Sequence, residues 1–199
     1  MTDVASHYDK LIDEGQDPVY DPNPLKEYMN KWDGQVFIDS FQLDKSKSVL
    51  EIGVGTGRIA VRVVPYCKRF TGIDISEKTI TKAKKNIKAG VFKKPELICA
   101  DFMEYEFDET FDVVYSSLTF MHIKEKQRAF DRVSKLLNKN GRFVLSIDKN
   151  TDEYIDMGAY KIKVYPDNPD GIKSYAEKSG LILTWETETE FANIFVFTK

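Results

Sequence analysis

The chain predicts a doubly wound α/β fold, a mostly parallel sheet with helices on both faces. Three observations carry this reading. A short apolar strand containing Val49, Leu50 and Ile52 runs into the turn Gly53-Val54-Gly55-Thr56-Gly57. Strand-like and helix-like segments then alternate, and two strand-like runs close the sequence. A length of 199 residues suggests one domain, since domains commonly run to about 100–200 residues, and 42% apolar composition is enough for a substantial core.

Residues 1–42 precede this pattern and hold Tyr8, Tyr20, Tyr28, Trp32 and Phe37, with Pro18, Pro22 and Pro24 breaking the middle. So many aromatics need a surface to cover, so the segment is expected to be a helical cap packed on the core at 43–199. After the glycine turn, a helix over Ile59 to Tyr66 should stop near Pro65, and Arg69 to Ile73 should form the second strand. Ser76 can cap a helix whose apolar side is Ile80, Ala83, Ile87 and Val91. Its other side carries Lys78, Lys82, Lys84, Lys85, Lys88, Lys93 and Lys94, which reads as a solvated helix face rather than a nucleic-acid patch. Leu97 to Ala100 and Phe111 to Tyr115 read as strands three and four. Ala129, Phe130, Val133, Leu136 and Leu137 form a helical stripe, the run Asn138-Lys139-Asn140-Gly141 predicts a turn, and Arg142 to Ile147 supplies the fifth strand. Residues 149–169 are irregular and long enough to suggest a functional insertion. Ser174 to Gly180 ends a last helix, and Leu181 to Glu188 and Phe191 to Thr198 form the final strand pair.

A net charge of −3 argues against dependence on a polyanion. Cys67 and Cys99 are too few and too far apart for a disulfide framework, and with two histidines they offer no metal-ligand spacing. Asp148 and Asp152 lack an acidic partner after strand four and read as turn residues. No stretch looks like a signal peptide or approaches the ~20 apolar residues of a membrane span, which points to a cytoplasmic protein with reduced thiols.

In the dinucleotide fingerprint the third glycine follows the second by three residues; here it follows by two, Arg58 takes the vacated place, and Glu51 stands two before the first glycine. That favours a ligand with a cationic group over a diphosphate. At these residues the chain resembles the class I S-adenosylmethionine-dependent methyltransferases, whose first motif reads acidic-x-Gly-x-Gly-x-Gly. The resemblance spans roughly Leu43 to Thr198. It implies a Rossmann-like sheet of seven strands in the order 3-2-1-4-5-7-6 with an antiparallel C-terminal hairpin, and the cofactor S-adenosyl-L-methionine, released as S-adenosyl-L-homocysteine. By the same resemblance Glu51 lies near the methionine end, and Gly53, Gly55, Thr56 and Gly57 pass beside its amino-acid and ribose parts. Asp74 would accept both ribose hydroxyls, Ile75 would touch the adenine face, Asp101 would accept from the adenine amino group, and the backbone of Phe102 would contact the ring. The loop holding Ser116 and Leu118 would meet the methionine amino group, Tyr8 matches a tyrosine that closes over the cofactor, and residues 149–169 fall where substrate-recognition elements are inserted.

Methyl transfer needs no protein nucleophile; in-line positioning and exclusion of water carry the effect. His122 is the catalytic candidate, because an imidazole can take a proton from a hydroxyl or amine at neutral pH; orienting its loop or lining the pocket is the alternative role. The loop after strand four lacks the Asn/Asp-Pro-Pro-Tyr motif of amide and exocyclic-nitrogen methylation, so a small-molecule acceptor is expected, with the oligomeric state open. Three alternatives stand beside this reading: a non-catalytic S-adenosylmethionine-binding module, an NAD-dependent oxidoreductase, and a methyltransferase acting on RNA or protein. The glycine spacing and the paired final strands count against the oxidoreductase.

Overall fold

The structure, a computed structural model, describes residues 3–87 and 94–199. Three helices come first: α1 (Val4–Asp13), α2 (Asn23–Asp33) and α3 (Gln35–Asp39). Asp3 starts α1 by accepting the Ser6 N–H at 2.8 Å, and a proline stands in the first turn of α2, where its missing N–H costs nothing. The main sheet contains β1 (Ser48–Ile52), β2 (Arg69–Asp74), β3 (Glu96–Cys99), β4 (Phe111–Ser117), β5 (Leu137–Asp148), β8 (Ile182–Glu188) and β9 (Ala192–Thr198). Their order is β3-β2-β1-β4-β5-β9-β8, with β9 antiparallel to both neighbours and the remaining pairs parallel. Counted within this sheet, that is the expected 3-2-1-4-5-7-6.

All five residues of β1 are buried because both faces of the strand are covered, and alternate side chains feed two separate cores. Leu50 and Ile52 join Phe130, Phe143 and Phe197 under α6 (Lys126–Leu136) and α7 (Pro169–Lys178). Val49 joins Phe37, Phe41, Tyr115 and Val196 under α3 and α4 (Ala60–Val63). The helix α5 (Glu77–Asn86) follows β2 and starts at Ser76, whose hydroxyl accepts the Thr79 N–H.

Three details differ from the sequence reading. The helix expected over Ile59 to Tyr66 is α-helical only at Ala60–Val63 and tightens into a 3-10 turn at Val64–Tyr66, where Pro65 removes a donor. The turn expected at Asn138 to Gly141 falls inside β5 rather than before it: Phe111 pairs Leu137 but Val113 pairs Arg142, and the extra residues fold back, with Asn140 at φ 62° and Gly141 close against the Asn138 backbone. Among the N-terminal aromatics, Phe37 is fully buried but Tyr20 is 71% exposed and covers nothing. Val91, Lys88 and Lys93 lie outside the described residues.

The segment 149–169 folds into a small hairpin of β6 (Tyr154–Asp156) and β7 (Lys161–Lys163). Two basic residues of α5 are engaged by the N-terminal segment, Lys78 with Asp13 and Lys82 with Asp17, which gives that lysine face an intramolecular role. Among the described residues no helix is long and apolar enough to cross a membrane.

Candidate active site

β1 pairs with both β2 and β4, so the chain's winding reverses there, and the carboxyl ends of these strands open into a crevice of the kind that binds ligands in doubly wound sheets. A cavity of about 520 Å³ fills it, lined by Gly53, Gly55, Asp74, Ile75, Asp101, Phe102, Leu118 and His122, with Val4 and Tyr8 of α1 also in its wall. Nine of the thirteen residues singled out from the sequence therefore meet at one surface, counting Tyr8. Glu51, Thr56, Gly57 and Ser116 do not line it.

The three glycines of the turn have separate functions. Gly53 sits at φ 77° against the loop after β4, and a Cβ there would fall on the Thr119 side chain. At Gly57 a Cβ would come within 2.7 Å of Ile87, so this glycine allows α5 to pack close. Only Gly55 has open space where its side chain would be, and its N–H donates to Asp74 Oδ2 at 2.9 Å. The other oxygen of Asp74 accepts the Ser76 N–H at 3.0 Å. Burial raises the Asp74 carboxyl above its ordinary value, and the N–H groups of Ser76 and Gly55 oppose that rise. Ile75 lines the cavity and leaves 42% of its surface exposed. Asp101 accepts the Met103 N–H at 2.8 Å through one oxygen, a turn role, and its second oxygen has no hydrogen-bond partner among the described residues.

Beneath the cavity lies a buried polar network that the sequence reading missed. Asp33, at the end of α2, is 1% exposed and accepts from the two terminal guanidinium nitrogens of Arg58, one at 2.9 Å, and from the Ser117 hydroxyl at 2.5 Å. A carboxylate in the last turn of a helix opposes the macrodipole, and that local misfit was the signal available in the sequence. Glu51 faces inward and accepts the Tyr115 hydroxyl at 2.7 Å; burial pushes its carboxyl well above the usual range, against the pull of Tyr115 and Arg58. Ser116 points into the sheet and donates to the Ile52 carbonyl at 3.0 Å, while its neighbour Ser117 reaches the cavity. The alternation of a strand puts consecutive side chains on opposite faces.

His122 and Tyr8 touch across the cavity mouth, Nε2 to Oη at 3.0 Å, and next to them His7 Nδ1 meets Tyr160 Oη at 3.1 Å. Burial, with His7 and Lys126 adding to it, lowers His122 to about 4, so the ring is neutral at pH 7. The loop carrying His122 is fastened to the insertion by Lys126, whose buried ammonium reaches Asp167 at 2.6 Å and the carbonyls of Phe120 at 2.5 Å and Tyr165 at 2.9 Å. Trp32 Nε1 donates to Asp148 at 3.0 Å, so this aspartate anchors α2 as well as shaping a turn.

A family model described as a methyltransferase domain matches residues 50–145. An uncharacterised methyltransferase of Bacillus licheniformis is 31% identical over 159 residues, covering 75% of this chain and 67% of that protein. One from Schizosaccharomyces pombe is 30% identical over 147 residues, covering 69% of this chain and 51% of that protein. The chain spans about half the length of the first curated relatives it matches. Among solved structures, the N-methyltransferase NodS of Bradyrhizobium japonicum, in complex with S-adenosyl-L-homocysteine, superposes with TM-score 0.72 at 15% identity, covering 100% of this chain and 99% of that one. The PH0226 protein of Pyrococcus horikoshii gives TM-score 0.72 at 17% identity, covering 90% and 92%.

Proposed function

This chain belongs to the class I S-adenosylmethionine-dependent methyltransferases, and we propose that it transfers a methyl group to a small-molecule acceptor held between α1, the loop after β4 and the insertion at 149–169. The observation that carries the proposal is the pairing of an open Gly55 with a cavity-wall carboxylate, Asp74, at the switch point of the sheet. That combination fits a ribose: Asp74 can accept two hydroxyls, and no Cβ at Gly55 stands in the way. Ile75 and Phe102 offer apolar contact for a purine, and the free oxygen of Asp101 can accept an exocyclic amino group. S-adenosylmethionine, when bound, supplies an electrophilic methyl group on a sulfonium.

The chain's own contribution is placement and dryness. Tyr8 and Val4 wall the cavity on the side of α1, and the Lys126–Asp167 pair holds the insertion against the loop of His122. Residues 1–42 act in this reading as a cap and 149–169 as the acceptor side. Glu51, Thr56, Gly57 and Ser116 support the turn and sheet from behind the cavity rather than touching the cofactor.

Calorimetric titration of the purified protein with S-adenosylmethionine and S-adenosylhomocysteine, with NAD as control, tests the reading. Micromolar binding of the two sulfur ligands alone is expected. Binding of NAD alone, or of none of the three, overturns it.

A further inference from the structure

We propose that Arg132 of α6, which lies outside the cavity, is a positioning residue that sets the cofactor's base specificity by holding Phe102 and the turn at 101–105 in place, with Arg128 as its companion one helical turn away. The inference rests on the purine reading of Asp101 and Phe102 given above. It starts from the connection between β3 and β4, which leaves both residues on a turn instead of a strand or helix. That turn satisfies its own donors. The Asp101 carbonyl accepts the N–H groups of Glu104 at 3.1 Å and Tyr105 at 2.9 Å, and the Asp101 side chain accepts that of Met103. Two carbonyls of the turn go to α6: Arg128 Nη2 donates to that of Met103 at 3.0 Å, and Arg132 Nη2 donates to that of Tyr105. Residues four apart on a helix are neighbours on its surface, so α6 presents both guanidinium groups to the turn.

Arg132 supplies more than a donor. Its guanidinium carbon lies 5.6 Å from the centre of the Phe102 ring, within cation–π reach. Phe102 is 6% exposed and lines the cavity, whereas Arg132 does not line it. Arg132 thus reaches a ligand only through Phe102 and the backbone of the turn. Its ion-pair partner Glu106, at 3.6 Å, has a side chain 89% exposed and adds little. Arg128 is different: it pairs with Glu104 at 2.9 Å and Glu125 at 3.1 Å and lines the cavity itself, so a change there also alters charge beside the ligand. Arg132 therefore separates positioning from contact. Asp74 and Gly55 are joined to each other by their own hydrogen bond, without α6. Losing Arg132 should therefore loosen recognition of the base and spare that of the ribose.

The probes are S-adenosylhomocysteine and S-inosylhomocysteine, titrated calorimetrically into the full chain. The second carries an oxygen where adenine has its amino group, and a carboxylate has no hydrogen to offer it. The wild type should bind S-adenosylhomocysteine at least tenfold more tightly. In Arg132→Met, which keeps the apolar stem, that ratio should fall at least threefold, and Arg132→Lys, which keeps a cation and a donor, should recover most of it. Amide exchange over 102–105 should accelerate in Arg132→Met with no change in β1. Faster exchange at an unchanged ratio would show a purely structural role and overturns the proposal, as does an equal loss of affinity for both ligands. Arg128→Gln, which weakens the hold on the Met103 carbonyl, is the second variant and should lower the ratio as well, whether or not Arg132→Met folds. Equal binding of the two ligands by the wild type would strike the purine reading of Asp101 and the proposal with it, whereas a wild-type preference kept intact in Arg132→Met strikes the role of Arg132 alone.

Discussion

Gly53 and Gly55 sit two residues apart at φ 77° and 55°, yet substitutions there should have opposite signatures. Gly53→Ala combines left-handed strain with a collision against Thr119, so a loss of about 2–4 kcal/mol in unfolding free energy is expected, partly recovered by Thr119→Ala. Gly55→Ala meets no atom and should cost only about 1 kcal/mol of backbone strain, while weakening cofactor affinity at least tenfold because its methyl group enters the cavity. Denaturant melts paired with calorimetry separate the two. Asp74→Ala should likewise weaken cofactor binding more than His122→Ala does; equal affinities would undo the ribose role. His122 also leaves a mark on the pH dependence of stability. Its folded value of about 4 lies below the ordinary value near 6.5, so the unfolded chain binds the extra proton between those limits. Stability from this group is therefore full above pH 6.5 and lost as the pH falls toward 4. In His122→Gln the melting curve should flatten across that window relative to the wild type; a parallel decline in both would exclude the effect.

At the scale of elements, α2 is held by its C-terminal end. Its Lys31 carbonyl accepts the Phe191 N–H at 3.0 Å and the Thr189 hydroxyl at 2.6 Å, Trp32 reaches Asp148, and Asp33 receives Arg58 and Ser117. Asp33→Ala would strand a largely buried guanidinium, which should cost about 3–5 kcal/mol, whereas the pair Asp33→Leu with Arg58→Met should recover most of that. If the double variant proves no more stable than the single, the penalty does not come from the uncompensated charge. The helix α1 is held differently. His7 is its one buried residue, and its links to α5 are polar: Asp9 accepts the Ser76 hydroxyl at 2.6 Å and the Lys78 N–H at 3.1 Å, and Asp13 pairs with Lys78.

Across the whole molecule this contrast sets an order of opening. The sheet is fixed by two apolar cores on its two faces, while α1 is linked to α5 by the Asp9 hydrogen bonds and by the partly exposed Asp13–Lys78 ion pair, which salt screens. Amide exchange of α1 should thus accelerate several-fold between low and high ionic strength with little change in β1, β4 and β5. Equal responses throughout would show that α1 is held by more than charge.

Much of this was legible in the residues alone. Strand-helix alternation, the short apolar strands and the glycine turn are local consequences of backbone geometry and side-chain periodicity, so they could be read from neighbours in sequence. The position of the crevice followed from the same pattern, since Gly55, Asp74 and Asp101 each stand at a strand end. What needed the folded chain was direction and partnership. Whether Glu51 looks into the cavity or at Tyr115, and whether Ser116 or Ser117 reaches it, depends on which face each strand turns to its neighbours. Asp33 with Arg58, Lys126 with Asp167 and Tyr8 with His122 join residues 25, 41 and 114 positions apart. Side-chain periodicity is a property of each segment by itself, but a buried charge or an imidazole acquires its character from groups that only tertiary packing brings beside it.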